Sequence, residues 1–498
     1  MVPGCLLCME GEQSMKKGDR IEGVIEEIRF PNRGVFHEGD TEVQVKNALP
    51  GQKVAVRVSK KRSHTAEAGL LEVLEKSPKE LEPPCPQSGV CGGCLYLPLP
   101  YEETLNIKQI QVMKLLQGAL DLAREEGKER ETWQSVTSWY TGILSSPRIF
   151  GFRNKMEFTF GDEEKGGPLT LGMHRRGSFH DIADASSCVI VDGDFRQILA
   201  ATRQFFTERN IPFLHRYQQE GYLRHLLVRK AAHTGEILVD LVTTRQAAAL
   251  PVPEETLLGD FAACLERLPL EGELVGVLHT RNDSIADVVE DQGTDVLYGR
   301  DYFLEKLLGL TFKVTPFSFF QTNSYSAEVL YSTARQYIQG LFPPLSEDGS
   351  LNRGPVIYDL YCGTGTISQL VAPTASHVYG IEIVEEAVQA AKENAERNGI
   401  KNCTFVAGDV LKKLDELEEK PDLIILDPPR DGIHPKALPK ILAYGVPYIL
   451  YISCKPTSLA RDLPSFLHEG YRPVKGCSVD QFCFSGNVET IVLLKKEQ

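Results

Sequence analysis

The chain has 498 residues, room for about three domains at roughly 150 residues each. With 24% charged and 42% hydrophobic residues, it is not a disordered chain, a collagen-like repeat or a disulfide miniprotein, and apolar runs such as Tyr448 to Ile452 fall far short of the ~20 residues of a membrane-spanning helix. Lys plus Arg number 54 against 68 Asp plus Glu, a net charge of −14, so a general nucleic-acid coat is excluded and any RNA binding has to use local patches.

In chain order, the first expected unit is residues 14–76. Glu42 to Lys46 and Lys53 to Val58 alternate with period two, the signature of half-buried strands. Pro31-Asn32-Arg33-Gly34, Glu38-Gly39-Asp40 and Leu49-Pro50-Gly51 supply the turns. Short strands so spaced predict a small antiparallel barrel of the OB type, an oligonucleotide platform in many proteins, although a structural β-module gives the same pattern. Residues 77–310 follow as a mixed α+β central domain. It opens with a Pro-rich linker and three cysteines, and has a helix from Tyr101 to Leu120, a charged loop at 125–132, and β-like runs at Glu236 to Val242 and Glu273 to His279. Residues 311–498 alternate strands and helices: runs at 356–361, 378–383, 403–406, 423–426 and 448–452, with an Ala/Glu-rich helix from Glu385 to Arg397 closed by Asn398-Gly399. That rhythm predicts an α/β, Rossmann-like, mostly parallel sheet with helices on both faces.

The first strand of this last section feeds Cys362-Gly363-Thr364-Gly365-Thr366. Gly-x-Gly at a helix entry makes a tight turn that a ligand can approach closely. Glu382 closes the next strand, where a carboxylate can accept both hydroxyls of a ribose. Asp409 closes the third, near an adenine amine, and Asp427 the fourth, in Asp427-Pro428-Pro429-Arg430. Acids on successive strand ends suit S-adenosyl-L-methionine (SAM), whose sulfonium and amino groups are cationic, better than a pyrophosphate.

Cys454 stands just past the fifth strand, where ligands of open α/β sheets sit. Its thiolate would be a nucleophile, and adjacent Lys455 would favour that form. Glu489, in a final strand that could return beside the fifth, offers a carboxylate for proton abstraction. Methylation of a pyrimidine C5 needs this trio of thiol, methyl donor and base. Thiolate addition at C6 makes C5 electron-rich, C5 takes the methyl group, and loss of the C5 proton lets the thiol leave. Arg430 occupies the place where amino methyltransferases carry an aromatic residue after Pro-Pro, and the cysteine that cytosine C5 RNA enzymes carry near that strand end is missing, so uracil is the favoured base.

Cys85, Cys91 and Cys94 are close-spaced among glycines, and Cys188 is the candidate fourth ligand. Four thiolates suit either zinc or an iron–sulfur cluster. Cys5 and Cys8 form a further Cys-x2-Cys pair that nothing nearby completes.

Over nearly its whole length the chain resembles the RumA/TrmA family of SAM-dependent RNA (uracil-5-)-methyltransferases. The resemblance rests on the N-terminal barrel, the cysteine set, Phe320-Gln321-Thr322-Asn323, Leu360-Tyr361-Cys362-Gly363-x-Gly365, Asp427-Pro428-Pro429-Arg430, Ser453-Cys454-x-Pro456 and Val488-Glu489-Thr490. It implies that the barrel is a TRAM domain that binds RNA. It implies Cys454 as nucleophile and Glu489 as base. It further implies Gln321, Tyr361, Thr366, Glu382, Asp409 and Asp427 as SAM contacts, and Cys85, Cys91, Cys94 and Cys188 as ligands of a [4Fe–4S] cluster, with zinc as the rival. Thr366 departs from the Asn frequent at that position. Members with the cluster usually act on 23S rRNA and those without it on tRNA, so the expectation is a monomeric cytoplasmic enzyme forming 5-methyluridine in 23S rRNA. The alternatives are a tRNA substrate and an RNA-binding protein without activity. Phe152-Arg153-Asn154-Lys155 resembles a family segment near the RNA, and the helix from Tyr101 is expected to pack partly on the catalytic domain.

Overall fold

The computed structural model describes residues 15–126, 135–343, 353–417 and 419–497. Cys5, Cys8 and most of the charged stretch 125–132 lie outside the described residues. The chain forms two compact units. One holds residues up to Glu82 together with Pro98–Pro100, and the other holds Pro83–Leu97 and everything from Tyr101 onward.

In the first unit six strands, β1 (Arg20–Val24), β2 (Glu27–Arg29), β3 (Arg33–Glu38), β4 (Thr41–Lys46), β5 (Lys53–Lys61) and β6 (Thr65–Glu75), form one curled sheet in the order β1-β5-β6-β4-β3-β2. Alternation turns Val43, Val45, Val54, Val56 and Val58 inward, all at most 1% exposed, which is the period-two pattern of a one-sided core. The pairing departs from the antiparallel expectation at one place. β4 and β6 run parallel, because β5 intervenes in sequence and takes the other edge of β6.

Among the described residues the second unit contains two large sheets and a two-stranded hairpin. α1 (Tyr101–Glu126) and β7 (Tyr140–Leu144) come first, then β8 (Lys155–Gly161), β9 (Thr170–His174), β10 (Ile182–Asp184), α2 (Gly193–Glu208), β11 (Leu223–Lys230), β12 (Glu236–Thr243), α3 (Glu254–Glu266), β13 (Glu273–Arg281) and β14 (Thr294–Gly299). β8 to β14 build a seven-stranded sheet, β10-β9-β8-β11-β12-β13-β14, with Phe195, Phe206 and Phe261 of α2 and α3 in its core.

The hairpin β15 (Phe303–Leu307) and β16 (Leu310–Val314) and helix α4 (Ser324–Leu341) lead into β17 (Val356–Leu360), α5 (Thr366–Val371), β18 (His377–Glu382), α6 (Glu385–Arg397), β19 (Cys403–Ala407), α7 (Val410–Lys413), β20 (Leu423–Leu426), α8 (Leu438–Ala443), β21 (Tyr448–Ser453), α9 (Pro456–His468), β22 (Tyr471–Val479) and β23 (Glu489–Lys496). The resulting eight-stranded sheet has the order β19-β18-β17-β20-β21-β23-β22-β7. β17 to β21 are mutually parallel, and β23 inserts antiparallel beside β21. One piece of the stretch expected to be central lies with this sheet instead. β7 is its outermost strand, parallel to β22, while Phe303 and Leu307 sit in a core cluster shared with residues of the seven-stranded sheet. Short strands such as Tyr140–Leu144 carry no pattern that names their partner, so only the tertiary pairing assigns them. Among the described residues no helix is long and apolar enough to cross a membrane.

Candidate active site

The carboxyl ends of β17, β18, β20 and β21 point the same way, and each delivers one of the expected groups. After β17 the backbone turns sharply: Tyr361 has φ 69°, and the amides of Tyr361 and Cys362 donate to the Ile381 carbonyl at 2.9 and 3.1 Å. The two glycines do different things. A Cβ on Gly365 (φ +73°) would lie 2.6 Å from the Phe405 ring and 2.9 Å from Ala391, whereas one on Gly363 (φ +53°) would meet nothing. Gly365 lets the loop pack on β19 and α6, and Gly363 leaves open space over the turn. Glu382 fastens the loop: its carboxylate accepts from the amides of Gly363 at 3.1 Å, Ile383 at 2.8 Å and Val384 at 3.0 Å.

Antiparallel insertion of β23 creates the reactive end. Ser453 pairs with Thr490, so the next residue out on each strand, Cys454 and Glu489, stand side by side. Glu489 is 2% exposed. Burial, reinforced by the Asp427 charge and opposed by Arg430, pushes its carboxyl up to about 8. Burial pushes the Cys454 thiol up to about 11; Glu489 and Asp427 act in the same sense, and Arg430 in the opposite one. The cation working on the thiol is therefore Arg430, not the Lys455 expected from sequence adjacency. Burial lifts Asp427 to about 7, with Asp359 adding to it; Asp359 itself is buried beneath the loop and accepts from Ser368 Oγ at 2.5 Å.

These groups border one cavity of about 1000 Å³, ample for a nucleoside-sized ligand beside a base. Gln321, Tyr361, Thr366, Glu382 and Asp427 line it, as do Cys454 and Glu489. Gln321 is held by Gln481, whose Nε2 donates to its Oε1 at 3.3 Å. Asp409 is the exception: it is exposed beyond β19 and absent from the cavity wall, although its charge reaches Tyr361. The carboxylates of Glu382 and Asp427 fit a cationic ligand such as SAM, because Asp427 has no hydrogen-bond donor among the described residues.

Cys85, Cys91, Cys94 and Cys188 line the same cavity and are free thiols. They are near enough to act on Cys94 together: burial, then the charge of the other three sulfurs, opposes its ionisation and pushes it up to about 12. Arg153 offsets this charge at Cys94, and its own neighbours include Arg430. Arg176 does the same at Cys91. Among the described residues no three His, Cys, Asp or Glu side chains are placed as a ready metal-ion site. The donor set itself, four thiols with two guanidiniums as counter-charge, has the chemistry of a thiolate-bound metal centre, zinc or iron–sulfur alike.

Arg153 is the residue that sequence reading left without a chemical role. Its amide donates to the Ile190 carbonyl at 2.9 Å, just past Cys188, while Asn154 Nδ2 donates to the Gln321 carbonyl at 2.8 Å and to Ser324 Oγ at 2.9 Å. The pair thus clasps the cysteine wall to the cofactor wall. The loop between β22 and β23 was also missed; Phe482, Cys483, Ser485 and Asn487 line the cavity. Such contacts join residues hundreds of positions apart and leave no periodic trace.

A parallel sheet with this glycine loop, strand-end acids and a nucleoside-sized cavity defines a SAM-dependent methyltransferase, and a methyltransferase-domain family matches residues 351–474. The chain is 44% identical over 485 residues to an uncharacterized RNA methyltransferase of Clostridium tetani, covering 97% of this chain and 99% of that one. It is 45% identical over 482 residues to another of Caldanaerobacter subterraneus subsp. tengcongensis, covering 97% and 100%. The chain belongs to this family of RNA methyltransferases. Its fold matches the crystal structure of Pyrococcus abyssi tRNA (uracil-54, C5)-methyltransferase in complex with S-adenosyl-L-homocysteine, with a TM-score of 0.69 at 22% identity over 95% of this chain and 100% of that one.

Proposed function

We propose that the protein methylates C5 of uracil in RNA. The observation that carries this reading is the side-by-side placement of Cys454 and Glu489 in the cavity that Glu382 and Asp427 also line. SAM supplies an electrophilic methyl group. The target uracil leaves its stack to enter the cavity, at a cost of a few kcal/mol. Cys454 Sγ, as thiolate, bonds to C6, and the electron pair of the C5–C6 double bond attacks the methyl carbon as its bond to the sulfonium sulfur breaks and S-adenosyl-L-homocysteine is left behind. Glu489 removes the C5 proton, the double bond re-forms, and Sγ leaves as thiolate. Arg430 stabilises the anionic forms of both Cys454 and Glu489.

Gln321, Tyr361, Thr366, Glu382 and Asp427 are the cavity residues assigned to SAM, and Asp409 reaches it only from the rim. Cys85, Cys91, Cys94 and Cys188 are assigned to a [4Fe–4S] cluster. Zinc is the rival occupant, since four thiolates suit either metal. Iron and sulfide analysis of anaerobically purified protein tests the cluster; stoichiometric zinc without sulfide refutes it. The cysteine set favours 23S rRNA as the target, and tRNA is the second reading, supported by the substrate named for the Pyrococcus abyssi enzyme. Mapping 5-methyluridine in both RNAs with and without the gene decides between them.

RNA carrying 5-fluorouridine tests the chemistry, since fluorine cannot leave as a proton. A covalent complex that is lost in Cys454→Ala is expected. No complex with any RNA pool, or one that persists in Cys454→Ala, refutes the mechanism and leaves an RNA-binding protein.

A further inference from the structure

Among the described residues the three most exposed large hydrophobic side chains are Ile285 at 85%, Tyr217 at 83% and Phe179 at 80%. They come from three separate segments: the β9–β10 hairpin, the loop before β11, and the β13–β14 loop. Arg216 ties them together. Its Nη1 donates to the Phe179 carbonyl at 2.9 Å, and its guanidinium is paired with Asp287, two residues from Ile285. Ile285, Arg216 and Asp287 border one small cleft. The His180 ring lies on that of Tyr217, with centroids 4.5 Å apart at 33°. Burying three such groups would be favourable, so leaving them together in water marks an interaction surface.

The surface is built rather than loose. In the hairpin turn Ser178 Oγ accepts from the amides of His180 at 3.2 Å and Asp181 at 3.1 Å. The hairpin is pinned from inside, where the Arg176 amide donates to the Val90 carbonyl at 2.7 Å and the Gly92 amide to the His174 carbonyl at 3.1 Å. Its base, at Met173 and Asp184, forms part of the catalytic cavity wall, while Phe179 stands at its tip. Aromatic faces flanked by Arg175, Arg216 and His180 suit unpaired nucleobases, which stack on rings and guanidinium planes, and a pre-ordered platform binds them at little entropic cost.

We propose that Phe179, Tyr217 and Ile285 form a stacking platform for unpaired bases of the substrate RNA that flank the methylated nucleotide outside the cavity. This rests on RNA being the substrate and not on which atom is methylated. Full-length Phe179→Ala/Tyr217→Ala is compared with wild type using a single-stranded RNA containing 2-aminopurine and a fully paired duplex of the same length. The double variant is expected to bind the single strand about tenfold or more weakly, with lost 2-aminopurine quenching and unchanged duplex and SAM affinity. Tyr217→Phe is expected to behave as wild type, because the ring is kept. Unchanged single-strand affinity overturns the platform and assigns the patch to a protein partner, and an equal loss for strand and duplex overturns stacking. The 5-fluorouridine complex, measured at saturating RNA, keeps the two ideas apart. A complex with unaltered RNA affinity in the double variant sinks only the platform, and lost affinity without any complex in wild type sinks only the uracil chemistry.

Discussion

Lys108 Nζ lies 2.6 Å from Asp480 Oδ1, and both side chains are fully buried. Lys108 also donates to the Phe482 carbonyl at 2.9 Å, and the Tyr101 hydroxyl donates to Asp480 Oδ2 at 2.8 Å. Helix α1 thereby grips the start of the loop that ends at Glu489. Removing one partner of a buried ion pair leaves an uncompensated charge, which costs about 3–5 kcal/mol. Lys108→Met is expected to lose stability of that order in urea unfolding, and Lys108→Met/Asp480→Leu to recover most of it. At a temperature where Lys108→Met is folded, its kcat is expected to fall and its SAM affinity to weaken, since the displaced loop ends at the base and carries Gln481, which holds Gln321.

Glu489→Gln keeps the shape of the site but cannot take the C5 proton. The addition and methyl-transfer steps remain, so methylated RNA is expected to stay covalently attached to Cys454 and to be visible as a denaturation-resistant band with unmodified RNA. Free 5-methyluridine formed at the wild-type rate would remove Glu489 from the base role.

The buried Glu489 carboxyl, pushed up to about 8, gives the reaction a pH signature. A base works only when ionised, so tritium release from 5-tritiated uridine RNA is expected to climb from pH 6 towards 8, by up to about tenfold per unit. Arg430 lowers both Glu489 and Cys454, so Arg430→Gln is expected to move this rise to higher pH. Linkage fixes the sign for stability. Between the ordinary glutamate range near 4.5 and about 8, the folded chain holds a proton that the unfolded chain has lost, so this group's contribution falls as pH rises through that window. Glu489→Gln is expected to remove that slope.

The two loop glycines are expected to respond differently to alanine. Gly365→Ala drives a methyl group into Phe405 and Ala391 at a left-handed backbone position and is expected to cost about 1–3 kcal/mol of stability from overpacking alone. Gly363→Ala meets no protein atom, so its larger effect is expected on SAM affinity, measured by calorimetry. Equal stability losses would contradict the separate roles.

Local chemistry wrote much of this protein into its sequence. Period-two alternation marked Val43, Val45, Val54 and Val56 as an inward face, and the Ala/Glu-rich run with Asn398-Gly399 marked α6 to its last residue. The glycine turn and the strand-end acids were legible because their geometry is set by residues adjacent in the chain. Only tertiary structure could decide the remainder. The register of β23 against β21 brings Glu489 to Cys454, strand β7 closes the far edge of the sheet, and Arg430 displaces Lys455 as the cation beside the thiol. Asp409 stays at the rim although it closes a strand as Glu382 does. Each of these depends on packing between distant segments, where burial and charge are set by neighbours that sequence order does not reveal.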